Sequence, residues 1–190
     1  DYTSIIDFDL TVIHNSLQLV SNEFPDFQDL TSYSHFLTYG IFYKIFSFFD
    51  DSLITNIELL SNNKNPELIL KKLYIISRIA NATIHFIALV YFYKILKLFN
   101  IDKINRILIL IFLVISETFI ANFIILRTDI VAVCFFLISF FYLLNFVKNN
   151  KILNLFIVSF FMIFSLLAKV QIIFSFMFIF FFFIFYSVYE

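Results

Sequence analysis

After residue 72 the chain alternates long apolar runs with short polar breaks. The runs are YIISRIANATIHFIALVYFY (74–93), ILILIFLVISETFIANFIIL (107–126), IVAVCFFLISFFYLLNFV (130–147), ILNLFIVSFFMIFSLLA (152–168) and IIFSFMFIFFFFIFYSV (172–188), each of 17 to 20 residues. At 1.5 Å per residue, a helix of that length covers roughly 25 to 30 Å, enough for a hydrocarbon core with some thinning. Backbone groups in lipid must be satisfied within the segment, so the runs predict helices and not strands. Residues 1–72 read differently. In IIDFDLTVIHNSLQLVSN, Ile5, Phe8, Val12, Leu17 and Leu19 recur among polar residues in a roughly helical rhythm. SNEFPDFQDLTSYS and SNNKNPE read as loops. HFLTYGIFYKIFSFF (35–49), at 15 residues, falls short of a comfortable span and suggests an interfacial helix. The expected fold is all-α: a polytopic transmembrane bundle of about five helices over 73–190, preceded by an exoplasmic helical loop segment over 1–72.

Composition agrees with the pattern. Hydrophobic residues make up 62% of the chain and charged residues 14%, against about a quarter charged in soluble domains. A water-borne chain of this length could hardly bury FSFMFIFFFFIFYSV on all sides. The chain starts at Asp1 and ends at Glu190 directly after an apolar run, and reads as an excerpt of a longer protein without a recognisable signal peptide. The lone Cys134 lies in an apolar run and reads as a packing residue.

Charge adds an orientation. Residues 1–72 hold ten Asp and Glu against four Lys, whereas 73–190 hold nine Lys and Arg against four Asp and Glu. The connections KILKLFNIDKINR (94–106) and KNNK (148–151) are both basic and lie two runs apart. The positive-inside pattern makes them cytoplasmic. Residues 1–72, the turn at Arg127 to Asp129 and the turn Lys169 to Gln171 then face outward. Both outer turns are short, which holds consecutive helices antiparallel and close. A hairpin turn also needs polar residues simply to face water, and a lysine at Lys169 can snorkel.

Candidate chemistry is sparse. With Gly40 the only glycine, no phosphate-binding Gly-rich loop exists, and no HExxH, cysteine pair or nucleophile elbow is present. Asp7 and Asp9 form an acidic pair that can share a divalent cation or divide acid and base roles, or simply face solvent. His85, in mid-run with Asn81 one turn earlier, reads as a buried helix–helix hydrogen bond. Glu117, inside the second run, marks function or an ion pair. Arg78, near the outer end of its run, is placed to meet an outer acid.

The order of these features resembles the multi-pass glycosyltransferases of the C fold type, which include protein O-mannosyltransferases and the enzymes that move aminoarabinose onto lipid A. IIDFDLTVIHNSLQLVSNEFPDF and SYSHFLTYGIFYKIF resemble their first outer loop. FIILRTDIVAVCFFLISFFYLL resembles their turn that starts a span, and FSLLAKVQIIF their break between short spans. The resemblance covers nearly the whole chain. The chain departs from it in its lack of glycine, in Phe8 where an acid often follows the first Asp, and in the missing first span. What the resemblance implies is transfer of a sugar from a polyprenyl-phosphate donor to an acceptor glycan, lipid or protein on the exoplasmic face, by inverting displacement. Asp7, or Asp9 as alternate, would be the general base. Arg127 and Lys169 would hold the donor phosphate, with Asp129 holding Arg127 in place and Gln171 and Arg78 in support. It further implies a multi-pass protein of a bacterial cytoplasmic (inner) membrane, in contact with membrane lipid and not with nucleic acid. A divalent cation as cofactor stays open. A transporter or channel fragment is the alternative from another class, though such proteins tend to show repeats and broken spans. A structural membrane subunit is a third.

Overall fold

The computed structural model describes residues 2–26, 32–50, 53, 60, 63, 65–177 and 179, without the side chains of residues 2–8. The described residues form helices α1 (Tyr2–Val20), α2 (Tyr33–Ser47), α3 (Pro66–Leu98), α4 (Lys103–Ile115), α5 (Glu117–Ile124), α6 (Thr128–Asn149) and α7 (Ile152–Ala168), then a 3₁₀ turn, Val170–Ile172. No strand occurs among them.

Helix ends explain how a chain with one glycine makes tight stops. Asn22, Asn100 and Asn150 all adopt positive φ, at 62°, 57° and 50°. Asn tolerates this left-handed region because its short polar side chain bonds locally, so it replaces the usual glycine. After α1, the Glu23 N–H returns to the Gln18 carbonyl (2.8 Å) and the Asn22 N–H to Leu19 (3.2 Å). After α3, Ile101 and Asn100 repeat the pattern on Leu96 and Lys97. Pro66 opens α3 with Glu67 in its first turn, where a missing N–H costs nothing and an acid suits the helix dipole.

Among the described residues two helices, α3 and α6, are long and apolar enough to cross a membrane, and a third crossing exists if α4 and α5 count as one span bent by 59°. The differences from the expected five runs have local reasons. Ser116 interrupts the second run: it has extended φ/ψ, its hydroxyl donates to the Leu113 carbonyl (2.7 Å) and accepts from the Phe119 N–H (3.3 Å). It thus ends one helix and caps the next. Helix α7 is apolar but only 17 residues long. Most of the fifth run lies outside the described residues. The polar connections are also shorter than expected, since Lys94, Lys97, Lys103, Arg106 and Lys148 are helical, as are Pro66 and Glu67 of SNNKNPE.

Packing relies on small and hydroxyl residues. Helices α6 and α7 form an antiparallel pair in which Ser165 donates to the Ala132 carbonyl (2.8 Å) and Ser139 to Val158 (3.1 Å). Such bonds replace the hydrophobic drive that lipid cannot supply. Cys134 is buried here. Tyr91 of α3 packs edge-on against Phe141 of α6. Gly40 lets α2 lie against α1: a Cβ there would stand 2.8 Å from Val20 Cγ2 and 3.1 Å from the Ser16 carbonyl oxygen. The outside is greasy. Helix α4 has no buried residue and exposes Ile107, Phe112 and Ile115, while α7 exposes Ile152, Phe156 and Phe160. In water, a surface this apolar would aggregate.

Helix α2 does not lie alone at an interface. Tyr39 donates to Asn81 Oδ1 (3.2 Å) and the Tyr43 hydroxyl meets Ser77 Oγ (2.6 Å). Advancing four residues on α2 while retreating four on α3 makes the two helices antiparallel neighbours. Helix α3 is about 50 Å long by its rise, and its segment beyond Arg78 alone matches one hydrocarbon thickness.

Candidate functional site

The polar cluster forms around the turn that joins α5 to α6. The Arg127 N–H bonds to the Ile125 carbonyl (2.9 Å), a three-residue turn that buries Leu126. The Leu126 N–H donates to Asp9 Oδ1 of α1 (3.0 Å). Asp9 Oδ2 accepts from the Arg78 guanidinium of α3, which also meets the Tyr74 hydroxyl and lies 4.6 Å over the Tyr74 ring. Asp9 is 1% exposed. Burial raises its carboxyl above the usual range, and the Leu126 N–H and Arg78 only partly offset this. Three elements distant in sequence are thus joined at one carboxylate.

Asp129 stands in the first turn of α6, where the helix dipole favours an acid. Its partner is Lys169 at the end of α7, and the ammonium donates to Asp129 Oδ1. The expected pairing of Asp129 with Arg127 is therefore not made. Arg127 is the residue before α6, with extended φ/ψ; two places along the chain, at a helix start, does not bring the side chains together. Arg127 is exposed and has no ion-pair partner among the described residues. Gln171 sits exposed in the 3₁₀ turn. Asp7 lies on α1 two positions before Asp9, about 200° round the helix. The side chain of Asp7, and with it the expected acidic pair, lies outside the described residues. Among the described residues, no group of three His, Cys, Asp or Glu could hold a metal.

Other polar residues take roles that the sequence pattern hides. Asn81 accepts from Tyr39 and donates to the carbonyls of Asn122 (3.1 Å) and Phe123 (2.9 Å), so it ties α2, α3 and α5 together. The sequence pattern assigns such a helix–helix bond to His85. Instead the His85 Nδ1 bonds to the Asn81 carbonyl of its own helix (2.8 Å), and its ring packs edge-on to Phe119 and Phe123. Glu117 is exposed from the protein in the first turn of α5. His35 is fully buried, and neither ring nitrogen has a hydrogen-bond partner among the described residues. Burial pushes it down to about 3, against weaker pulls from the Asp129 charge and the Leu126 backbone, so it is neutral at ordinary pH. Ser34 beside it donates to the Phe164 carbonyl (2.6 Å).

The signals for this cluster are short polar insertions: Ser77 and Asn81 four apart in one apolar run, and Tyr39 and Tyr43 four apart in another. Their complementarity is invisible until the helices are paired. The cluster collects three cations, Arg78, Arg127 and Lys169, against two acids, Asp9 and Asp129, at one end of an apolar helix set. Chemically, that end can hold an anion at Arg127 beside a carboxylate whose affinity for protons has been raised. Comparison with protein-family profiles, curated proteins and solved structures finds no match for this chain.

Proposed function

We propose that this protein is a membrane glycosyltransferase that moves a sugar from a polyprenyl-phosphate donor to a hydroxyl acceptor at the exoplasmic face. The observation that carries the reading is Arg127, which has no ion-pair partner among the described residues, beside the buried Asp9–Arg78 pair. A planar guanidinium gives a phosphate two parallel hydrogen bonds, and a carboxyl of raised proton affinity suits a general base. Of the two acids, Asp9 is favoured, because it stands at the cation cluster. Position 7 falls on the opposite side of α1. Lys169 acts through Asp129, fixing the end of α7 beside Arg127. The exoplasmic assignment rests on the basic ends of α3, α4 and α6 at the other end of the bundle. In the transfer, Asp9 takes the acceptor hydroxyl proton as the new C–O bond forms, and the lipid phosphate leaves with the electron pair of the broken bond.

The test is sugar transfer from polyprenyl-phosphate donors by the purified full-length protein in lipid nanodiscs. Asp9→Asn should lower kcat by about a hundred- to ten-thousand-fold, Asp7→Asn should change it little, and Arg127→Lys should weaken donor binding. Full activity in Asp9→Asn, or unchanged donor affinity in Arg127→Lys, removes the assigned roles. A second reading, a transporter, is favoured by the bend at Ser116, since broken spans line transport sites. Flux of a solute across sealed vesicles without any transfer would select it.

A further inference from the structure

We propose that the end of the bundle opposite Arg127 carries a binding site for an anionic phospholipid, with its headgroup phosphate on Lys94, Lys97 and Arg106. Two tyrosines of α3 hold two of these cations. The Lys94 ammonium lies 4.6 Å from the Tyr91 ring centroid and 5.6 Å from that of Phe141 of α6. The Arg106 guanidinium of α4 lies 4.8 Å over the Tyr93 ring. Each residue of a helix turns by about 100°, so Lys94, Lys97 and Tyr93 share roughly 100° of one side of α3. Ile95 and Leu96, on the other side, are buried. Lys148 falls two turns beyond Phe141 on the same side of α6.

The charge at this end is not neutralised within the chain. Aromatic faces attract a cation without cancelling it. Among the described residues, Lys94, Lys97, Lys103, Arg106 and Lys148 have no ion-pair partner. The acid in this stretch, Asp102, is engaged at the start of α4. Its Oδ2 accepts the Asn105 N–H (3.1 Å) and its Oδ1 the Asn105 side-chain amide. The Arg106 Nε is shielded from solvent and has no hydrogen-bond partner among the described residues. A shielded charged donor in that state lacks what a phosphate oxygen supplies.

What lies next to the cations decides the class of anion. Down the same side of α3, Val90 is half-buried and Phe86 is 67% exposed. On α4, Ile109 and Leu113 follow Arg106 on one side and are exposed, and no residue of α4 is buried. Helix α3 is itself long and apolar enough to cross a membrane. Phe86 stands roughly 16 Å along the axis from Lys97, about the depth of one leaflet. Cations directly over an apolar track fit a molecule with a phosphate at one end and hydrocarbon at the other. A soluble polyanion such as nucleic acid would meet the cations and leave the track bare. Basic pockets between membrane helices hold anionic headgroups in this way. The site stands whether or not the protein transfers sugars.

The experiment is native mass spectrometry of the full-length protein released from nanodiscs of phosphatidylglycerol and phosphatidylcholine in equal parts. Both lipids carry a phosphate, and only the first has a net negative charge. The wild type should retain phosphatidylglycerol in preference. Lys94→Gln, Lys97→Gln and Arg106→Gln should each reduce that preference about fivefold, which is about 1 kcal/mol and the worth of one cation at an anionic surface. Lys94 and Lys97 are exposed, so their variants keep the fold and test the site even where Arg106→Gln does not. Lys151→Gln, at the same end on α7, should leave the preference unchanged. Equal retention of both lipids by the wild type, or an unchanged preference in the Lys94 and Lys97 variants, overturns the site. A fall in Lys151→Gln as large as in Lys94→Gln overturns it too, since the preference would then be bulk surface charge. Displacement of the lipid by an equal concentration of glycerol 1-phosphate would make the occupant a soluble phosphate and overturn the lipid assignment.

Discussion

Replacing Arg78 by Met removes the guanidinium and leaves Asp9 inside. Asp9 is 1% exposed and keeps one hydrogen bond, from the Leu126 N–H at 3.0 Å. Breaking a buried ion pair from one side costs about 3 to 5 kcal/mol. The Arg78 side chain is 25% exposed, so solvent already screens part of the pair and the lower end, about 3 kcal/mol, is expected at pH 7. The reverse change, Asp9→Asn, should cost less, about 1 to 2 kcal/mol. The freed guanidinium still has the Tyr74 ring and hydroxyl, and Asn can still accept from Leu126. The double variant Asp9→Asn/Arg78→Met should recover much of the loss, because no charge stays buried. The pH dependence gives a second check. A carboxyl whose folded pKa is raised binds its proton more readily in the folded state, so stability falls as pH rises through that value and is regained on acidification. Loss of Arg78 removes one of the two influences that lower the Asp9 pKa. As the pH falls from 7 towards the acid limb, Arg78→Met should therefore gain stability relative to wild type. Denaturant unfolding of the full-length protein in mixed micelles measures both. A cost below about 0.5 kcal/mol at pH 7, where surface substitutions fall, or a variant that gains nothing on wild type on acidification, would refute the claim that this pair is buried and coupled.

Further outcomes follow from single contacts. Gly40→Ala should destabilise by about 1 to 3 kcal/mol, since its Cβ meets Val20 Cγ2 and a backbone oxygen of α1; Gly40→Ala/Val20→Ala should recover part of that in the same unfolding assay. Asn81→Leu leaves the Tyr39 hydroxyl without its acceptor and should cost about 1 to 3 kcal/mol, read as faster proteolysis between α3 and α5. His35 has an ordinary value of 6.5 and a buried value of about 3, so its stability contribution is complete above pH 6.5 and is lost on acidification. His35→Phe should flatten the acid limb between those values by about 1.4 kcal/mol per pH unit, and an unchanged limb would argue against a buried neutral imidazole. In a Cys134→Ser background, a cysteine at Asn63 should react with an impermeant thiol reagent from outside intact cells; reaction only after the membrane is opened would reverse the orientation.

Helices are legible in the sequence because period and length leave little choice once the solvent is lipid. Residues 74–93 and 130–147 fall within α3 and α6, and only the ends differ. The ends differ because Lys94, Lys97 and Lys148 continue a helix as readily as leucine does. The break at Ser116 is written in the sequence as Ser-Glu-Thr inside an apolar run. A single cap in twenty apolar residues is a weak signal beside hydropathy, yet Ser116 accepts the Phe119 N–H and ends the preceding turn. Site residues are legible in kind and not in pairing. Arg78 is placed by its run to meet an outer acid, and Asp9 is that acid.

Why the local pair Arg127–Asp129 fails while two distant pairs form follows from what each helix end needs. The turn at Leu126 leaves a backbone N–H with no helical acceptor, and only a side chain from another element reaches it; Asp9 does so. That carboxylate brings its charge into a buried place and requires a cation, which Arg78 supplies from α3. Asp129, held in the first turn of α6, points toward the end of α7, where a lysine after Ala168 can counter the exposed carbonyl ends of that helix as well as the acid. Both acids thereby join helices, Asp9 in addition to the role proposed for it. The cation left over, Arg127, belongs to neither pair, because its backbone is extended and turned out of the helix. An exposed guanidinium with no ion-pair partner among the described residues can meet an anion without breaking a helix contact. The prediction that Arg127→Lys weakens donor binding while the fold is unchanged is therefore a sharper test than loss of any paired residue would be, since those losses also loosen the bundle.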